Sequence, residues 1–202
     1  MAKQDIVIIR YNAGNIRSVK NALLRLDIEA EITGDPDRIR KADKVIFPGV
    51  GEASTTMTHL NETLLSDLIR ELKQPVLGIC LGMQLMGSRS EEGDAECLNI
   101  FDQPVVRFQL PTPNPDNLKI PHMGWNRIFD LKGDLFDASM EGEYVYFVHS
   151  YYVPIGDNTS ATTIYINPFS SAMQRDNFFA TQFHPEKSGT VGQRILERFI
   201  KL

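Results

Sequence analysis

The sequence is poor in cysteine and has no long hydrophobic run. Cys80 and Cys97 are its only cysteines, too few for the disulfide framework that stabilises small secreted domains. The apolar run from Ile6 to Ile9 is too short for the apolar region of a secretory signal. No stretch approaches the roughly 18 consecutive apolar residues that a membrane-spanning helix needs. We therefore expect a cytoplasmic protein with two reduced thiols and no membrane partner.

The sequence also lacks blocks of charge of one sign. It has 21 basic and 26 acidic residues and a formal net charge of -5. Nucleic-acid binding draws its affinity mainly from clustered Lys and Arg, so we expect no nucleic-acid partner. The content of 42% apolar and 23% charged residues is typical of a globular chain. The length predicts a single domain, residues 1–202, at roughly 150 residues per domain.

The first half of the chain alternates short apolar runs with helical patterns. Strands are predicted at residues 6–9, 29–33, 44–47 and 76–80. Helices are predicted at residues 15–26 after a turn at residues 12–15, from Asp35-Pro36 onward, and through the leucines between 60 and 72. This alternation is typical of βαβ units around a mostly parallel sheet.

The second half contains strand-like runs with few helices between them, at residues 105–108, 144–148, 162–166 and 178–183. A final helix is predicted from the apolar stripe that Val191, Ile195 and Phe199 share. We therefore predict an α/β fold in which helices flank a mostly parallel central sheet with a mixed or antiparallel extension. The proline-rich segment 110–115 fits a linker or a surface loop. We favour a loop, because neither side is complete without the other.

The first candidate catalytic residue is Cys80. It stands in Gly78-Ile79-Cys80-Leu81-Gly82, which has the spacing of a nucleophile elbow between a predicted strand and a helical pattern. Such a turn forces the nucleophile into a strained backbone conformation, and flanking glycines allow neighbouring backbone to approach. The start of a helix also favours the thiolate. The alternative is a buried structural cysteine at a strand end.

A cysteine nucleophile needs a base, and His184 is the best candidate. Pro185 and Glu186 follow it, so the imidazole and the carboxylate lie at i and i+2 on the same side of an extended chain. Pro185 favours extended geometry at His184, and the carboxylate can fix the imidazole tautomer as the third member of a triad does. The alternative is a surface turn. His59 lies in a polar helical stretch, where we expect a solvated side chain.

Pro48-Gly49-Val50-Gly51 directly follows the third predicted strand, at the sheet edge that also carries Cys80. Such a loop can direct backbone N–H groups at a developing oxyanion, with the N–H of Leu81 as a second donor. The loop lacks the Lys and Ser/Thr ending of a phosphate-binding loop. We therefore expect an oxyanion site and no nucleotide site.

These three stretches, in this order, resemble the hallmark sequences of the class I, triad-type glutamine amidotransferases. Two further stretches, residues 121–126 and 146–151, and Lys187 directly after Glu186 resemble one branch of that family, the glutaminase subunits of imidazole glycerol phosphate synthases. The resemblance covers nearly the whole chain.

The resemblance implies that the substrate is L-glutamine, whose side-chain amide is hydrolysed to glutamate and ammonia through a thioester on Cys80. His184 would serve as acid and base with Glu186 as its support, and neither a metal nor another cofactor is expected. The oxyanion would be held by backbone N–H groups at Gly49, Val50, Gly51 and Leu81. The positions that match the family's substrate-binding residues are Gln84, Glu92, Ser150 and Tyr151. For Glu92 the alternative is a solvated loop acid.

The resemblance also implies a partner, a (β/α)8-barrel synthase subunit that forms a heterodimer with this chain and receives the ammonia for histidine biosynthesis. The positions expected to border the passage between the two chains are His122, Trp125, Asn126 and Lys187. An exposed Trp beside polar residues is typical of an interface hot spot. A single Trp is more often part of a core, which is the alternative for Trp125.

Two other functions remain open. The same chemistry could serve a different acceptor enzyme, such as an anthranilate or pyridoxal phosphate synthase, or the chain could be a non-catalytic regulatory module of the same fold. The intact triad disfavours the module, and Trp125 with Lys187 disfavours the other synthases. Two departures from the family pattern stand out: Arg10 takes the place of a usual Asp, and residues 96–99 replace a glycine-containing run. We interpret Cys97, within the second departure, as an incidental thiol.

Overall fold

A seven-stranded sheet forms the centre of the computed structural model, which describes residues 4–11 and 16–202. The predicted turn at residues 12–15 lies outside the described residues. The helices are α1 (Ile16–Leu24), α2 (Pro36–Lys41), α3 (Ala53–Glu62), α4 (Leu65–Glu71), α5 (Leu81–Leu85) and α6 (Gly189–Lys201). The strands of the central sheet are β1 (Ile6–Ile9), β2 (Glu31–Thr33), β3 (Lys44–Gly49), β4 (Val76–Cys80), β11 (Thr159–Ile164), β12 (Pro168–Arg175) and β13 (Phe178–Thr181). The remaining strands are β5 (Arg89–Ser90), β6 (Ala95–Glu96), β7 (Val106–Arg107), β8 (His122–Arg127), β9 (Tyr144–His149) and β10 (Tyr151–Tyr152).

The central sheet is mixed, as predicted. Five strands run parallel in the order β2-β1-β3-β4-β13. β12 and β11 extend the sheet beyond β13, each antiparallel to its neighbour. Three short antiparallel pairs, β8 with β9, β7 with β10 and β5 with β6, lie outside this sheet. The structure therefore confirms a mostly parallel sheet with an antiparallel extension.

Helices cover both faces of the sheet and create two hydrophobic clusters. α1 and α6 pack on one face, together with β9, through buried residues such as Leu23, Phe147 and Phe199. α2, α3, α4 and α5 pack on the other face. Because the parallel strands are covered on both sides, β1 and β4 are buried along their whole length, which explains their nearly continuous apolar sequences. Among the described residues no helix is both long and apolar enough to cross a bilayer.

One predicted helix is divided in two. The leucine pattern between residues 60 and 72 predicts a single helix, but α3 ends at Glu62 and α4 starts at Leu65. Leu64 between them has φ 57 and is 69% exposed. A left-handed residue cannot continue a right-handed helix. The helical spacing of the leucines therefore continues across a break between two separate helices.

Two long strands, β8 and β12, were not predicted. β8 contains Gly124 at φ 135 and few β-branched residues. β12 begins with Pro168 and carries small polar residues that are nevertheless buried. Neither sequence shows the alternation or the β-branched content that indicates a strand. The proline-rich segment 110–115 is a largely exposed loop, as favoured above.

The left-handed conformation of Leu64 generates a test. We expect Leu64→Gly to leave the free energy of unfolding unchanged or to raise it by up to about 1 kcal/mol, because a residue with a Cβ atom costs about 1–2 kcal/mol there. The matched control is Leu24→Gly, at a half-exposed leucine with helical geometry. It should lower the free energy of unfolding by about 1 kcal/mol. Urea unfolding measures both, and equal destabilisation would contradict the strain assigned to Leu64.

Candidate active site

The three predicted catalytic stretches meet at one edge of the sheet. Cys80 ends β4, and Gly49 at the end of β3 pairs directly with it. On the other side of β4, Thr181 of β13 pairs with Ile79, and His184 follows three residues later. The carboxyl ends of parallel strands meet at the same edge, which is where open α/β sheets bind their ligands. The topology thus brings together residues that are about 100 positions apart in the sequence.

Cys80 has the strained backbone of a nucleophile elbow. Its backbone angles, φ 55 and ψ -108, lie outside the regions that residues other than glycine normally adopt. α5 starts at the next residue. A Cβ atom on Gly82 would collide with the carbonyl oxygen of Phe47, and one on Gly78 would lie 2.9 Å from the sulfur of Met86. The two glycines therefore allow α5 to pack directly against β3 and β4. This confirms the interpretation of their spacing.

His184 and Glu186 form a buried pair. His184 is 1% exposed, and its Nδ1 lies 2.8 Å from Oε1 of Glu186. Its backbone is held at both ends, because its N–H donates to the carbonyl of Tyr146 and its carbonyl accepts from the hydroxyl of Ser188. A carboxylate at Nδ1 keeps a proton on that nitrogen and leaves Nε2 for chemistry. Nε2 is buried and makes no hydrogen bond to the protein within the described residues.

The electrostatics of His184 favour its protonated form. Burial by itself lowers the pKa of His184, but the interactions with Cys80 and Glu186 raise it, to about 10. The imidazolium is thus stabilised between the sulfur of Cys80 and the carboxylate of Glu186. Cys80 is itself 8% exposed.

The predicted oxyanion loop is anchored on both sides. Gly49 is buried, and a Cβ atom there would lie 2.6 Å from the N–H nitrogen of Gly82. Gly51 is exposed at φ 126, a conformation that favours glycine. After the loop, the carboxylate of Glu52 caps α3 by accepting from the N–H of Thr55 at 2.9 Å. Only Val50 and Gly51 therefore separate the anchored Gly49 from the anchored Glu52. At the edge of β4, Leu81 is the first residue of α5, where backbone N–H groups have no partner within the helix.

Tyr11 is a further residue of the site that the sequence pattern did not single out. Its hydroxyl donates to the carbonyl of Pro48, and its ring lies 5.4 Å from that of Phe47. Burial, and after it the charge of Cys80, raises the pKa of Tyr11 far above its usual value, so the phenol remains a donor. It holds the strand that leads into the oxyanion loop. Arg10, the departure noted above, is exposed beside it.

Two of the four predicted substrate-binding residues, Gln84 and Tyr151, belong to one hydrogen-bonded group that reaches Cys80. Gln84 on α5 is 4% exposed, and its Nε2 donates to the carbonyl of Tyr151 at 2.9 Å and to Oε1 of Gln182 at 3.0 Å. Nε2 of Gln182 lies 3.8 Å from the sulfur of Cys80. The carbonyl of Ser150, next to Tyr151 in the chain, accepts from the N–H of Phe108 at 3.0 Å. Gln182 was not predicted, although it stands two residues before His184.

Glu92 makes a hydrogen bond within the protein that a solvated loop acid would not make. Its Oε2 accepts from the N–H of Ala53 at 2.9 Å, at the first residue of α3. Burial raises the pKa of Glu92, while the hydrogen bond from Ala53 lowers it and the charge of Glu52 raises it. Glu92 therefore fastens the start of α3, directly after the oxyanion loop.

Two of the four predicted interface residues, Trp125 and Lys187, lie on one exposed surface, whereas His122 and Asn126 lie on the opposite side of β8. We call this surface the β8–β9 face, formed by Met123, Trp125, Arg127, Tyr144, Tyr146, Val148 and Lys187. Trp125 is 56% exposed and meets Tyr146 edge to face at 6.0 Å, and Nζ of Lys187 lies 5.9 Å from the same ring. Trp125 is therefore not a core residue. His122 is only 3% exposed, because alternation along β8 turns its ring to the interior.

His122 and His149 form a pair of buried imidazoles. Nδ1 of His122 lies 3.0 Å from Nε2 of His149. Burial lowers the pKa of His122 to about 4 and that of His149 to about 3. Both rings are therefore neutral near pH 7.

Cys97 lies away from these groups. It is buried, its thiol lies 3.7 Å from the carbonyl of Ala95, and burial raises its pKa to about 11. A thiol in such surroundings stays protonated and is a poor nucleophile. Within residues 4–11 and 16–202, no cluster of three or more His, Cys, Asp or Glu side chains is arranged to hold a metal ion.

Comparison with known proteins assigns the chain to a family. The model of the glutamine amidotransferase class-I family matches residues 7–202. A Bacteroides fragilis protein named imidazole glycerol phosphate synthase subunit HisH is 59% identical over 197 residues, which cover 98% of this chain and 99% of that protein. The Escherichia coli K12 protein of the same name is 44% identical over 200 residues, covering 98% of this chain and all of that protein.

Solved structures share the fold at low sequence identity. A glutamine amidotransferase crystal structure superimposes with a TM-score of 0.72 at 20% identity and covers 96% of this chain and 97% of its own. A glutamine amidotransferase of Thermotoga maritima gives a TM-score of 0.66 at 15% identity and covers all of this chain and 84% of its own.

The neutral histidine pair predicts how stability depends on pH. The unfolded chain binds protons on both histidines below about pH 6.5, whereas the folded chain does so only near pH 4 and below. We therefore expect the free energy of unfolding to decrease as the pH is lowered from about 6.5 to about 4, by up to about 1.4 kcal/mol per pH unit for each histidine.

The variant His122→Asn isolates this effect. It removes one titrating ring, so its stability should fall less steeply than that of the wild type between pH 6.5 and 4. Urea unfolding at several pH values gives the two slopes. Parallel slopes would show that His122 does not stay neutral in the folded chain.

Proposed function

This chain belongs to the class I glutamine amidotransferases, and on that basis we propose that it is the glutaminase subunit of an imidazole glycerol phosphate synthase. The observation that carries the proposal is the arrangement of Cys80, His184 and Glu186 at the ends of two neighbouring parallel strands. The substrate is L-glutamine, and the products are glutamate and ammonia.

The first chemical step forms a thioester. The Sγ atom of Cys80, as the thiolate paired with the His184 imidazolium, attacks the side-chain amide carbon of glutamine. The electron pair of the amide carbonyl moves to oxygen. His184 then gives its proton to the amide nitrogen, the carbon–nitrogen bond breaks, and ammonia leaves. Because the pKa of His184 is raised, the proton is present when it is needed.

The oxyanion that forms in this step needs N–H donors already in place. The N–H of Leu81, at the first turn of α5, supplies one donor, and the backbone of Gly49, Val50 and Gly51 supplies the other. Tyr11 fixes the entry to this loop through the carbonyl of Pro48, and Glu52 and Glu92 fix its exit at α3. The glycines allow the peptide planes of the loop to turn towards the substrate.

The second step returns the free enzyme. Neutral His184 takes a proton from water through Nε2, and the oxygen attacks the thioester carbon. The carbon–sulfur bond breaks, glutamate leaves, and the thiolate of Cys80 is regenerated beside the His184 imidazolium. Glu186 keeps the proton on Nδ1 throughout and stabilises the imidazolium without bonding to the substrate. Gln84, Glu92, Ser150 and Tyr151 hold the glutamine in this scheme.

The ammonia is used by a second chain, which we propose is a (β/α)8-barrel synthase subunit. The β8–β9 face supports this assignment, because it is exposed, rich in aromatic residues and flanked by two cations, Arg127 and Lys187. Arg127 lies 4.8 Å from the ring of Tyr144. Aromatic and Arg side chains of this kind form hot spots in protein interfaces.

The alternatives have less support. Glutaminase subunits of other synthases would share the triad, but relatives of 59% and 44% identity are named as subunits of imidazole glycerol phosphate synthase. A non-catalytic module would need neither the strained conformation of Cys80 nor the buried charge pair of His184 and Glu186.

The proposed nucleophile is tested by Cys80→Ala. We expect glutaminase activity to fall by at least about 10³-fold, because the thioester can no longer form, while the thermal unfolding midpoint changes little. The matched control is Cys97→Ala, at a buried thiol outside the site. Its glutaminase activity should stay within a few-fold of that of the wild type. Glutamate release from glutamine measures both. Turnover by Cys80→Ala would exclude Cys80 as the nucleophile.

The partner surface is tested by Trp125→Ala. We expect its affinity for the barrel subunit, measured by titration calorimetry, to fall by about 30-fold or more, which corresponds to about 2 kcal/mol. The control Leu64→Gly changes an exposed leucine between α3 and α4, on the other face of the sheet, and should bind like the wild type. Unchanged binding by Trp125→Ala would remove the β8–β9 face as the docking site.

A further inference from the structure

A continuous hydrogen-bonded chain runs from the half-buried Asn126 of β8 to the backbone beside the nucleophile. Nδ2 of Asn126 lies 3.3 Å from Nε2 of His122, and Nδ1 of His122 lies 3.0 Å from Nε2 of His149. Nδ1 of His149 lies 2.7 Å from the carbonyl oxygen of Tyr151. None of the triad residues is a link in this chain, so the mechanism above leaves both histidines without a role.

The direction of every link in this chain is determined. A carbonyl oxygen can only accept, so Nδ1 of His149 carries a proton, and in a neutral ring its Nε2 is an acceptor. His122 must then donate from Nδ1, which leaves its own Nε2 to accept from the amide of Asn126. Asn126 is oriented in turn, because its Nδ2 also donates to the carbonyl of Ile164 at 2.9 Å. Each histidine is therefore held in one tautomer.

The surroundings of the two rings exclude a charge. His149 lies among Phe108, Phe147 and Phe169, with ring centroids 5.1–5.6 Å away. His122 stacks between Phe147 at 4.8 Å and Tyr165 at 4.1 Å. The charges of His122 and His184 would both disfavour a positive charge on His149. Both nitrogens of His149 are occupied, so it cannot replace His184 as the base.

The inner end of the chain is the carbonyl of Tyr151. It accepts from His149 and also from Nε2 of Gln84 at 2.9 Å, which uses both of its lone pairs. Gln84 connects this carbonyl to α5 and, through Gln182, to the side of Cys80. One of the two hydrogen bonds that hold the Tyr151 carbonyl thus depends on the Nδ1 proton of His149.

We propose that His149, held in a single tautomer by His122, is a positioning residue that sets the Ser150–Tyr151 backbone and Gln84 for glutamine binding. This proposal rests on the function proposed above. It gives the buried histidine pair a task in substrate affinity, separate from the bond-breaking steps at Cys80.

The test separates the two nitrogens of His149. In His149→Asn, the amide nitrogen replaces Nδ1 and can still donate to Tyr151, whereas His149→Phe fills the aromatic site without a donor. With the barrel subunit present, we expect His149→Phe to raise the KM for glutamine about tenfold and to change kcat by less than about threefold. His149→Asn should recover most of the affinity. His59→Asn, on α3 outside the chain of hydrogen bonds, is the control and should match the wild type.

A purely structural role gives a different pattern. In that case His149→Phe lowers the thermal unfolding midpoint and leaves the KM of the folded fraction unchanged. Equal KM values for His149→Phe and the wild type, or equal impairment of His149→Asn and His149→Phe, would overturn the proposal. If His149→Phe does not fold, His122→Phe and His122→Asn carry the same comparison, because only Asn can still donate to His149.

The wild-type complex separates this proposal from the function it rests on. A wild-type complex without glutaminase activity would overturn the proposed function and this inference with it. An active wild type with an unaffected His149→Phe variant would overturn the inference alone.

Discussion

The site depends on the contact between α5 and the two strands beneath it. β4 lies between β3 and β13 as a parallel neighbour of both, and α5 can start immediately after Cys80 only because Gly82 has no Cβ atom to collide with Phe47. That close approach sets the direction of the sulfur and the position of the Leu81 N–H, and it holds Gly49 against the helix. The close packing of α5 on β3 and β4 thus fixes the positions of the reacting atoms.

The same small region stabilises opposite protonation states in neighbouring histidines. His184 lies between a sulfur and a carboxylate, and its pKa is raised, whereas aromatic rings surround His149 and burial lowers its pKa. Both residues are almost completely buried, so burial does not distinguish them. The difference comes from the partners that each ring meets, an acid in one case and a carbonyl oxygen in the other. A mobile proton is therefore kept at one imidazole and excluded from the other.

The sequence was sufficient for the parts of the site that have a local pattern. The elbow around Cys80 and the His184-Pro185-Glu186 run are short, and their residue spacing has a geometric meaning without knowledge of the fold. Tyr11 and Gln182 could not be found in this way, because their contacts join segments 37 and 102 residues apart. His122 was placed on the surface because the face that β8 buries depends on what packs against it. β12 was not predicted from the sequence, because its small polar residues do not indicate a buried strand and only tertiary packing buries them.

The pairing of β13 with β4 has a consequence for the folding of the chain. His184 is synthesised more than 100 residues after Cys80, and it reaches the nucleophile only when β13 adds to the edge of β4. Contacts of such long sequence separation form late, since loop closure must precede them. At about 5–20 residues per second, His184 is therefore synthesised at least about 5 seconds after Cys80. A nascent or truncated chain can fold its first βαβ units and still release no ammonia.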